Sequence, residues 1–249
     1  MGYAIQWLRS LFFIGQMYVM MLVFAIFLTP LAMMSRDWVF KTIHIYTGWV
    51  RWTAGWMIGL KSEIRGAPPE DAVLLASKHQ SFFDILMLAN VTPRPKFIMK
   101  SSLRYAPILG WYAKRMGCIA VDRGKRSGAI AQLKEGAMDG SIAPGQLIIY
   151  PQGTRVAPGA SKKYKIGSGV LYEQLGQDCV PAATNVGVFW PRHGIYRKPG
   201  TAVVEFLPRI GAGLSVDEFM EVLEEQIETA SARLMAEAGF VAGADNGRN

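Results

Sequence analysis

The sequence predicts an α/β domain built on a central, mostly parallel sheet flanked by helices, with a membrane-associated helical segment before it. After Gly59, short apolar runs alternate with helical patterns, which is typical of strands joined by helices. Hydrophobic residues make up 51% of the chain and charged residues 18%, and the apolar excess lies at the N-terminus. A chain of 249 residues has room for one sizeable domain and a short extra segment. We therefore assign residues 1–60 to membrane-associated helices, 61–240 to the domain and 241–249 to a frayed tail.

The first apolar segment, residues 11–34, carries no formal charge. At about 1.5 Å per residue it is long enough to cross a bilayer. Thr29 and Pro30 interrupt it near its end, so a kinked helix that enters one leaflet is an equal alternative. Basic residues flank both ends and do not select an orientation. A cleaved signal peptide fits less well, because the run exceeds the usual length and no Ala-x-Ala site follows.

A second N-terminal segment, residues 38–60, is rich in tryptophan. Trp49, Trp52 and Trp56 recur at helical spacing and fall on one face of a helix. This pattern favours a helix that lies at a membrane interface, and packing in an ordinary core is the alternative.

The remaining elements follow from short apolar runs and one capping signal. The predicted strands are residues 62–65, 73–77, 96–99, 118–121, 147–150, 180–183 and 202–206. Ser215 and Glu218 form a capping box, which begins the last helix. The apolar face of that helix is predicted to carry Val216, Phe219, Leu223, Ile227, Ala230 and Leu234.

The charge balance indicates an anionic partner. The net charge is +8, and basic residues cluster in 94–104, 114–126 and 155–165. The sequence has no helix-turn-helix, zinc-finger or aromatic RNA-binding signature, so we expect anionic phospholipid head groups and no nucleic acid. Cys118 and Cys179 show neither metal-ligand spacing nor a disulfide framework, which favours a reducing cytoplasmic face and no metal.

One candidate site lies where the second predicted strand ends. His79 follows that strand, at the carboxyl edge where open α/β sheets place their sites. Asp84 falls in the first turn of the next helix and could accept a hydrogen bond from one imidazole nitrogen. Such a carboxylate orients the ring and makes the other nitrogen a better base. A surface histidine followed by a helix-start aspartate is the alternative.

Two further strands deliver basic residues to the same edge. The loop after residues 147–150 holds Gln152, Gly153, Thr154 and Arg155, whose backbone N–H groups, hydroxyl and guanidinium could cradle a phosphate. A plain turn with a solvated arginine is the alternative there. The strand 118–121 leads into Arg123. The strand 180–183 contains a proline and is expected to form a wall or plain scaffold.

Together these pieces resemble the glycerolipid acyltransferase family, in particular its bacterial 1-acylglycerol-3-phosphate acyltransferases, over residues 60–206. His-x4-Asp of that family matches His79 and Asp84, as general base and orienting partner. Its second block matches Lys100, Pro107 and Gly110 and ends at Arg123, which the resemblance assigns, with Lys100, to the acceptor phosphate. Its third block, usually Phe-Pro-Glu-Gly-Thr-Arg, matches residues 150–155, and its fourth is the strand 180–183.

Gln152 departs from this pattern, because the family usually has glutamate there. Glutamine can hydrogen-bond to an acceptor hydroxyl or phosphate, but it carries no charge and cannot act as a base. We interpret the change as altered acceptor binding in a chain that keeps His79 and Asp84.

The resemblance implies direct acyl transfer. His79 would deprotonate the sn-2 hydroxyl of lysophosphatidate as that oxygen attacks the thioester of acyl-CoA or acyl carrier protein, so the thioester is a co-substrate and no cofactor is expected. The sequence has no Gly-x-Ser-x-Gly elbow for a covalent serine route. The implied location is the bacterial inner membrane, with the site on the cytoplasmic side. Alternatives are transfer to another lysolipid such as lyso-ornithine lipid, a thioesterase and a catalytically idle membrane adaptor.

Overall fold

The structure, a computed structural model, describes residues 2–122, 131 and 144–241. Its helices and strands follow the alternating order that the sequence predicts. In chain order they are α1 (Tyr3–Met34), α2 (Arg36–Ile58), β1 (Leu60–Arg65), β2 (Leu74–Ser77), α3 (Phe83–Val91), β3 (Pro95–Lys100), α4 (Leu109–Met116), β4 (Ile119–Val121), β5 (Gln146–Ile149), α5 (Gly167–Leu175), β6 (Cys179–Thr184), β7 (Gly200–Phe206) and α6 (Val216–Glu237). Short 3-10 turns occur at Ser101–Tyr105 and Val186–Val188.

The seven strands form one sheet in the order β1-β7-β6-β2-β5-β3-β4. Neighbouring strands are parallel, except that β6 and β7 are antiparallel. The predicted mostly parallel sheet is therefore confirmed, and each predicted strand is present with ends that differ by at most two residues. Because β2, β3, β4, β5 and β6 run in the same direction, their carboxyl ends meet at one edge.

Helices cover both faces of the sheet. On one face, α1, α2 and α3 share a core with the sheet that includes Phe13, Ala54 and Phe83. On the other face, α5 and α6 pack through side chains such as Leu171 and Phe219. The capping box that begins α6 is present as predicted, since Ser215 and Glu218 exchange hydrogen bonds.

Helix α1 is continuous through Pro30, so the interruption that we predicted near this residue does not end the helix. Its last turn finds partners outside the helix. The Nη2 atom of Arg115 donates to the carbonyls of Ala32 and Met33 at 2.9 and 3.1 Å. These bonds satisfy acceptors that a helix end leaves unpaired.

The two N-terminal helices belong to the same core as the sheet. The junction of α2 and β1 lies between Ile58 and Leu60. Phe13 and Met17 of α1 pack in the main core cluster together with residues of the sheet. Near the start of α1, the buried side-chain amide of Gln6 donates to the carbonyls of Ile58 and Arg197 at 2.9 and 2.8 Å. Removal of residues 1–59 would therefore expose the core.

Large apolar side chains are exposed on both helices, and most of them lie on α1. By length and composition, α1 is long and apolar enough to cross a membrane. On α2, Trp52 and Trp56 are 60% and 59% exposed. Trp49 is half-buried, and its indole N–H donates to Gln16 at 2.9 Å. The predicted aromatic stripe thus has two members that face outward and one that packs against α1.

We expect Gln6→Leu to destabilise the chain by about 2 kcal/mol, because it leaves two buried carbonyls without their donor. The measurement is the thermal unfolding of the full chain in detergent. Gln174→Leu makes the same change at an exposed position of α5 and is the matched control. Equal unfolding temperatures for the two variants would contradict this role of Gln6.

Candidate active site

The turn between β2 and α3 holds His79 against a buried carboxylate. The Nδ1 atom of His79 lies 2.8 Å from Oδ1 of Asp84, whose side chain is fully buried. The other oxygen, Oδ2, accepts the backbone N–H groups of Gln80 and Ser81, each at 2.8 Å. A carboxylate fixed by two amides can only accept from the ring, so Nδ1 carries the proton and Nε2 is the basic nitrogen. The imidazole is 12% exposed, so an edge of the ring reaches the surface.

The aromatic ring of Tyr150 supports the other side of the imidazole. The two rings are stacked, with centroids 4.0 Å apart and planes inclined by 21°. Burial raises the pKa of the Tyr150 hydroxyl well above its usual value, and the nearby Asp84 carboxylate raises it further. The hydroxyl therefore stays protonated, and Tyr150 is a neutral platform for His79. The sequence placed Tyr150 in the third block, but gave no sign of this stacking.

The loop after β5 turns tightly beside the histidine. Gly153 has φ of +69°, and its N–H donates to the Tyr150 carbonyl at 2.8 Å. A Cβ atom there would first meet the flexible end of the Lys165 side chain, which can move, so it is the positive φ that favours glycine. The N–H of Val156 donates to the His79 carbonyl at 2.8 Å. This bond fixes the loop to the turn that carries His79.

Arg155 lies at the outer side of this loop. Its Nη1 atom donates to the Arg192 carbonyl at 3.3 Å, and Arg192 returns a bond of 3.4 Å to the Arg155 carbonyl. Thr154 and Arg155 are both half-buried. Because β2 and β5 are parallel neighbours, the structure places the loop that carries Gly153, Thr154 and Arg155 next to the turn that carries His79 and Asp84.

Gln152 points inward from the same loop. Its side chain is 2% exposed. Its Nε2 atom donates to the Lys162 carbonyl at 3.1 Å and to Glu228 at 3.4 Å. Its Oε1 atom has no hydrogen-bond partner among residues 2–122, 131 and 144–241. The predicted contact between Gln152 and a substrate stays a prediction.

The remaining predicted phosphate ligands come from β3 and β4. Lys100 ends β3 and is exposed. Since β5 lies between β2 and β3, Lys100 is two strands from His79, or roughly 10 Å at the usual strand spacing. Arg123 lies outside the described residues.

The two cysteines are poor nucleophiles. Burial raises the pKa of the Cys118 thiol to about 11 and that of Cys179 to about 12. Neither lies at the turn that holds His79, since Cys179 begins β6 and Cys118 precedes β4. Within the part of the chain that the structure describes, no group of three His, Cys, Asp or Glu side chains could hold a metal ion.

We expect Asp84→Asn to reverse the tautomer of His79. An asparagine oxygen can still accept from Gln80 and Ser81, which turns its NH2 group toward Nδ1 and moves the ring proton to Nε2. The ¹⁵N chemical shifts of the ring nitrogens, measured by NMR on labelled protein, report the position of that proton. A ring that keeps its proton on Nδ1 in the variant would show that Asp84 does not set the tautomer.

Comparison with known proteins identifies the family of this chain. A family model described as Acyltransferase matches residues 61–185, which is half of the chain and includes His79, Asp84 and the loop 150–155. A 1-acyl-sn-glycerol-3-phosphate acyltransferase of Pseudomonas aeruginosa is 30% identical, over 78% of this chain and 77% of its own length. The enzyme of that name from Saccharomyces cerevisiae is 29% identical, over 69% of this chain and 60% of its own length.

A solved structure shares the fold. The crystal structure of the 1-acyl-sn-glycerophosphate acyltransferase of Thermotoga maritima matches with a TM-score of 0.78 at 18% identity. The match covers 95% of this chain and 100% of that chain. Fold, family model and sequence identity agree, and the chain therefore belongs to the acyltransferase family.

Proposed function

We propose that this chain transfers a fatty acyl group from an acyl thioester to the sn-2 hydroxyl of lysophosphatidate and so forms phosphatidate. The observation that carries the proposal is the His79–Asp84 pair, whose carboxylate is buried and bound by two backbone amides. The names of the Pseudomonas and yeast relatives support a 1-acylglycerol 3-phosphate as the acceptor.

In the proposed mechanism, Nε2 of His79 removes the proton of the acceptor hydroxyl as that oxygen attacks the thioester carbonyl. Asp84 stabilises the imidazolium that forms, and the ring of Tyr150 keeps the imidazole in place. The tetrahedral intermediate then expels the thiolate. His79 returns the proton to that sulfur, so the ester and a free thiol leave while the enzyme is unchanged.

The acceptor phosphate is the proposed ligand of the basic groups at the same edge. Arg155, held at its Nη1 atom by the Arg192 carbonyl, has further guanidinium nitrogens for phosphate oxygens. The backbone at Gly153 and the hydroxyl of Thr154 adjoin it. Lys100 and Arg123 are proposed to complete the binding site from β3 and from the segment after β4, and Gln152 supports the loop from within.

The acyl donor is proposed to be acyl-CoA or acyl carrier protein, which acts as co-substrate, and the mechanism needs no cofactor. In both donors, the acceptor oxygen attacks the carbonyl carbon of the thioester. Parallel assays with each donor at equal concentration decide between them.

The membrane is the proposed location of the acceptor. Both ends of α1 are bound to the domain, by Gln6 near the start and by Arg115 at the end. A helix held along the domain at both ends favours an orientation in the bilayer surface, with its exposed apolar face in one leaflet. We propose that this face anchors the enzyme to the cytoplasmic side of a bacterial inner membrane.

We expect His79→Ala to abolish formation of phosphatidate, with a loss of at least about 10³-fold in kcat. The measurement is turnover of lysophosphatidate in mixed micelles by the full purified chain, with acyl-CoA and with acyl carrier protein. His193→Ala replaces an exposed histidine and is the matched control. Retained turnover in His79→Ala would remove this residue from the mechanism.

The same assay separates the alternatives. Release of the thiol without any acceptor would favour a thioesterase. Acylation of lyso-ornithine lipid, with lysophosphatidate left unchanged, would replace the proposed acceptor. Lipid binding without turnover of any acceptor would favour an adaptor.

We expect the double variant Trp52→Gln/Trp56→Gln to bind vesicles about tenfold more weakly, because two exposed aromatic rings leave the proposed interface. The measurement is co-sedimentation with vesicles of phosphatidylglycerol and phosphatidylethanolamine. Trp52→Phe/Trp56→Phe keeps the apolar rings and is the control. Unchanged binding of the glutamine variant would show that α2 does not contact lipid.

A further inference from the structure

A buried cation lies next to the catalytic base. Lys78 directly precedes His79 and is 2% exposed. Its Nζ atom donates to both carboxylate oxygens of Glu228, at 2.6 and 2.7 Å. Because β-strand residues alternate in direction, Lys78 points to the face of the sheet covered by α6, which carries Glu228. An ammonium group at this burial needs such a partner, since an unpaired buried charge is strongly destabilising.

The same carboxylate gathers donors from two other segments. The Tyr164 hydroxyl donates to Oε1 of Glu228 at 2.8 Å, and Nε2 of Gln152 approaches that oxygen to 3.4 Å. Burial and the negative charge of Glu228 raise the pKa of Tyr164, so its hydroxyl keeps its proton and remains a donor. The Glu228 carboxylate therefore accepts hydrogen bonds from three segments: the end of β2, the loop after β5 and the segment before α5.

We propose that Glu228 is a positioning residue, whose carboxylate fixes the position of the loop 150–155 relative to His79. Residue 152 is then a neutral glutamine because Glu228 already supplies the negative charge that pairs with Lys78. A glutamate at 152 would place a second carboxylate about 3.4 Å from that of Glu228, which already pairs with Lys78. Glutamine has nearly the same shape and donates a hydrogen bond to Glu228 at that place. The pocket around Lys78 thus holds one negative charge, which either position can provide.

A backbone hydrogen bond connects the loop that Glu228 positions to His79. The Val156 N–H is bonded to the His79 carbonyl, so the loop and the base move together. Displacement of the loop would also displace Arg155, the proposed phosphate ligand. This inference rests on the proposed function in assigning the loop to the acceptor, and enzymatic rates are sensitive to displacements of about 1 Å.

The experiment is a charge relocation in four full-length proteins: the parent, Glu228→Gln, Gln152→Glu and the double variant. We expect each single variant to lose about tenfold in kcat/KM, mainly through a higher KM for lysophosphatidate, while the KM for acyl-CoA stays the same. The double variant restores one carboxylate to the pocket, and we expect its kcat/KM to lie within about threefold of the parent. Glu225→Gln, an exposed position on the same helix, is the matched control and should match the parent.

A double variant whose loss equals the product of the two single losses would overturn the inference, as would single variants with parental KM values. The unfolding temperatures of the four proteins test the same inference without substrate: we expect a lower temperature for each single variant than for the parent, and a recovery in the double variant. If Glu228→Gln does not fold, a folded double variant supports the shared charge and an unfolded one overturns it. A parent that leaves lysophosphatidate unchanged would instead refute the proposed function, and the unfolding data would still decide the role of Glu228.

Discussion

The carboxylate of Asp84 is the constraint on which the site depends. One of its oxygens accepts the Nδ1 proton of His79, and the other accepts two backbone amides of the same turn. The amides fix the carboxylate without any flexible side chain, so the imidazole is oriented by the backbone itself. The stacking of Tyr150 on the ring and the bond from Val156 to the His79 carbonyl both require this position. Loss of the aspartate would release the base and the contacts built around it.

The sheet order determines which groups can act with that base. β2 lies between β6 and β5, so the loop after β5 is the direct neighbour of His79, although about 70 residues separate the two in the chain. A parallel pair needs a long crossover, and here two further strands of the sheet lie within it. The arrangement places the loop that carries Gly153 and Arg155 next to the turn of His79, while Lys100 lies two strands away. The proposed phosphate ligands thus come from separate strands, whose ends meet only in the folded sheet.

The sequence predicted what short segments determine by themselves. Apolar runs marked all seven strands, Ser215 and Glu218 marked the start of α6, and the spacing of His79 and Asp84 predicted their hydrogen bond across one turn. It could not predict the pair of Lys78 and Glu228, because 150 residues separate them and each resembles an ordinary surface charge until the sheet and α6 pack together. The sequence likewise could not predict that the side chain of Gln152 is buried. Tertiary packing determines which charged side chains are buried, and local sequence patterns do not predict it.

The composition of α1 alone does not determine whether this helix spans a membrane or lies along its surface. The length and composition of α1 would also suit a helix that spans a membrane. On its inner side, however, Ser10 accepts the Arg197 N–H of the domain, and Gln16 accepts the indole N–H of Trp49 on α2. Polar groups surrounded by lipid need internal partners, and here the domain provides them on one side of the helix. Phe13 of α1 also contacts Trp190, whose ring stacks on Phe83 at the start of α3, the helix that carries Asp84. The proposed lipid-facing helix and the turn that carries His79 are therefore parts of one packed unit.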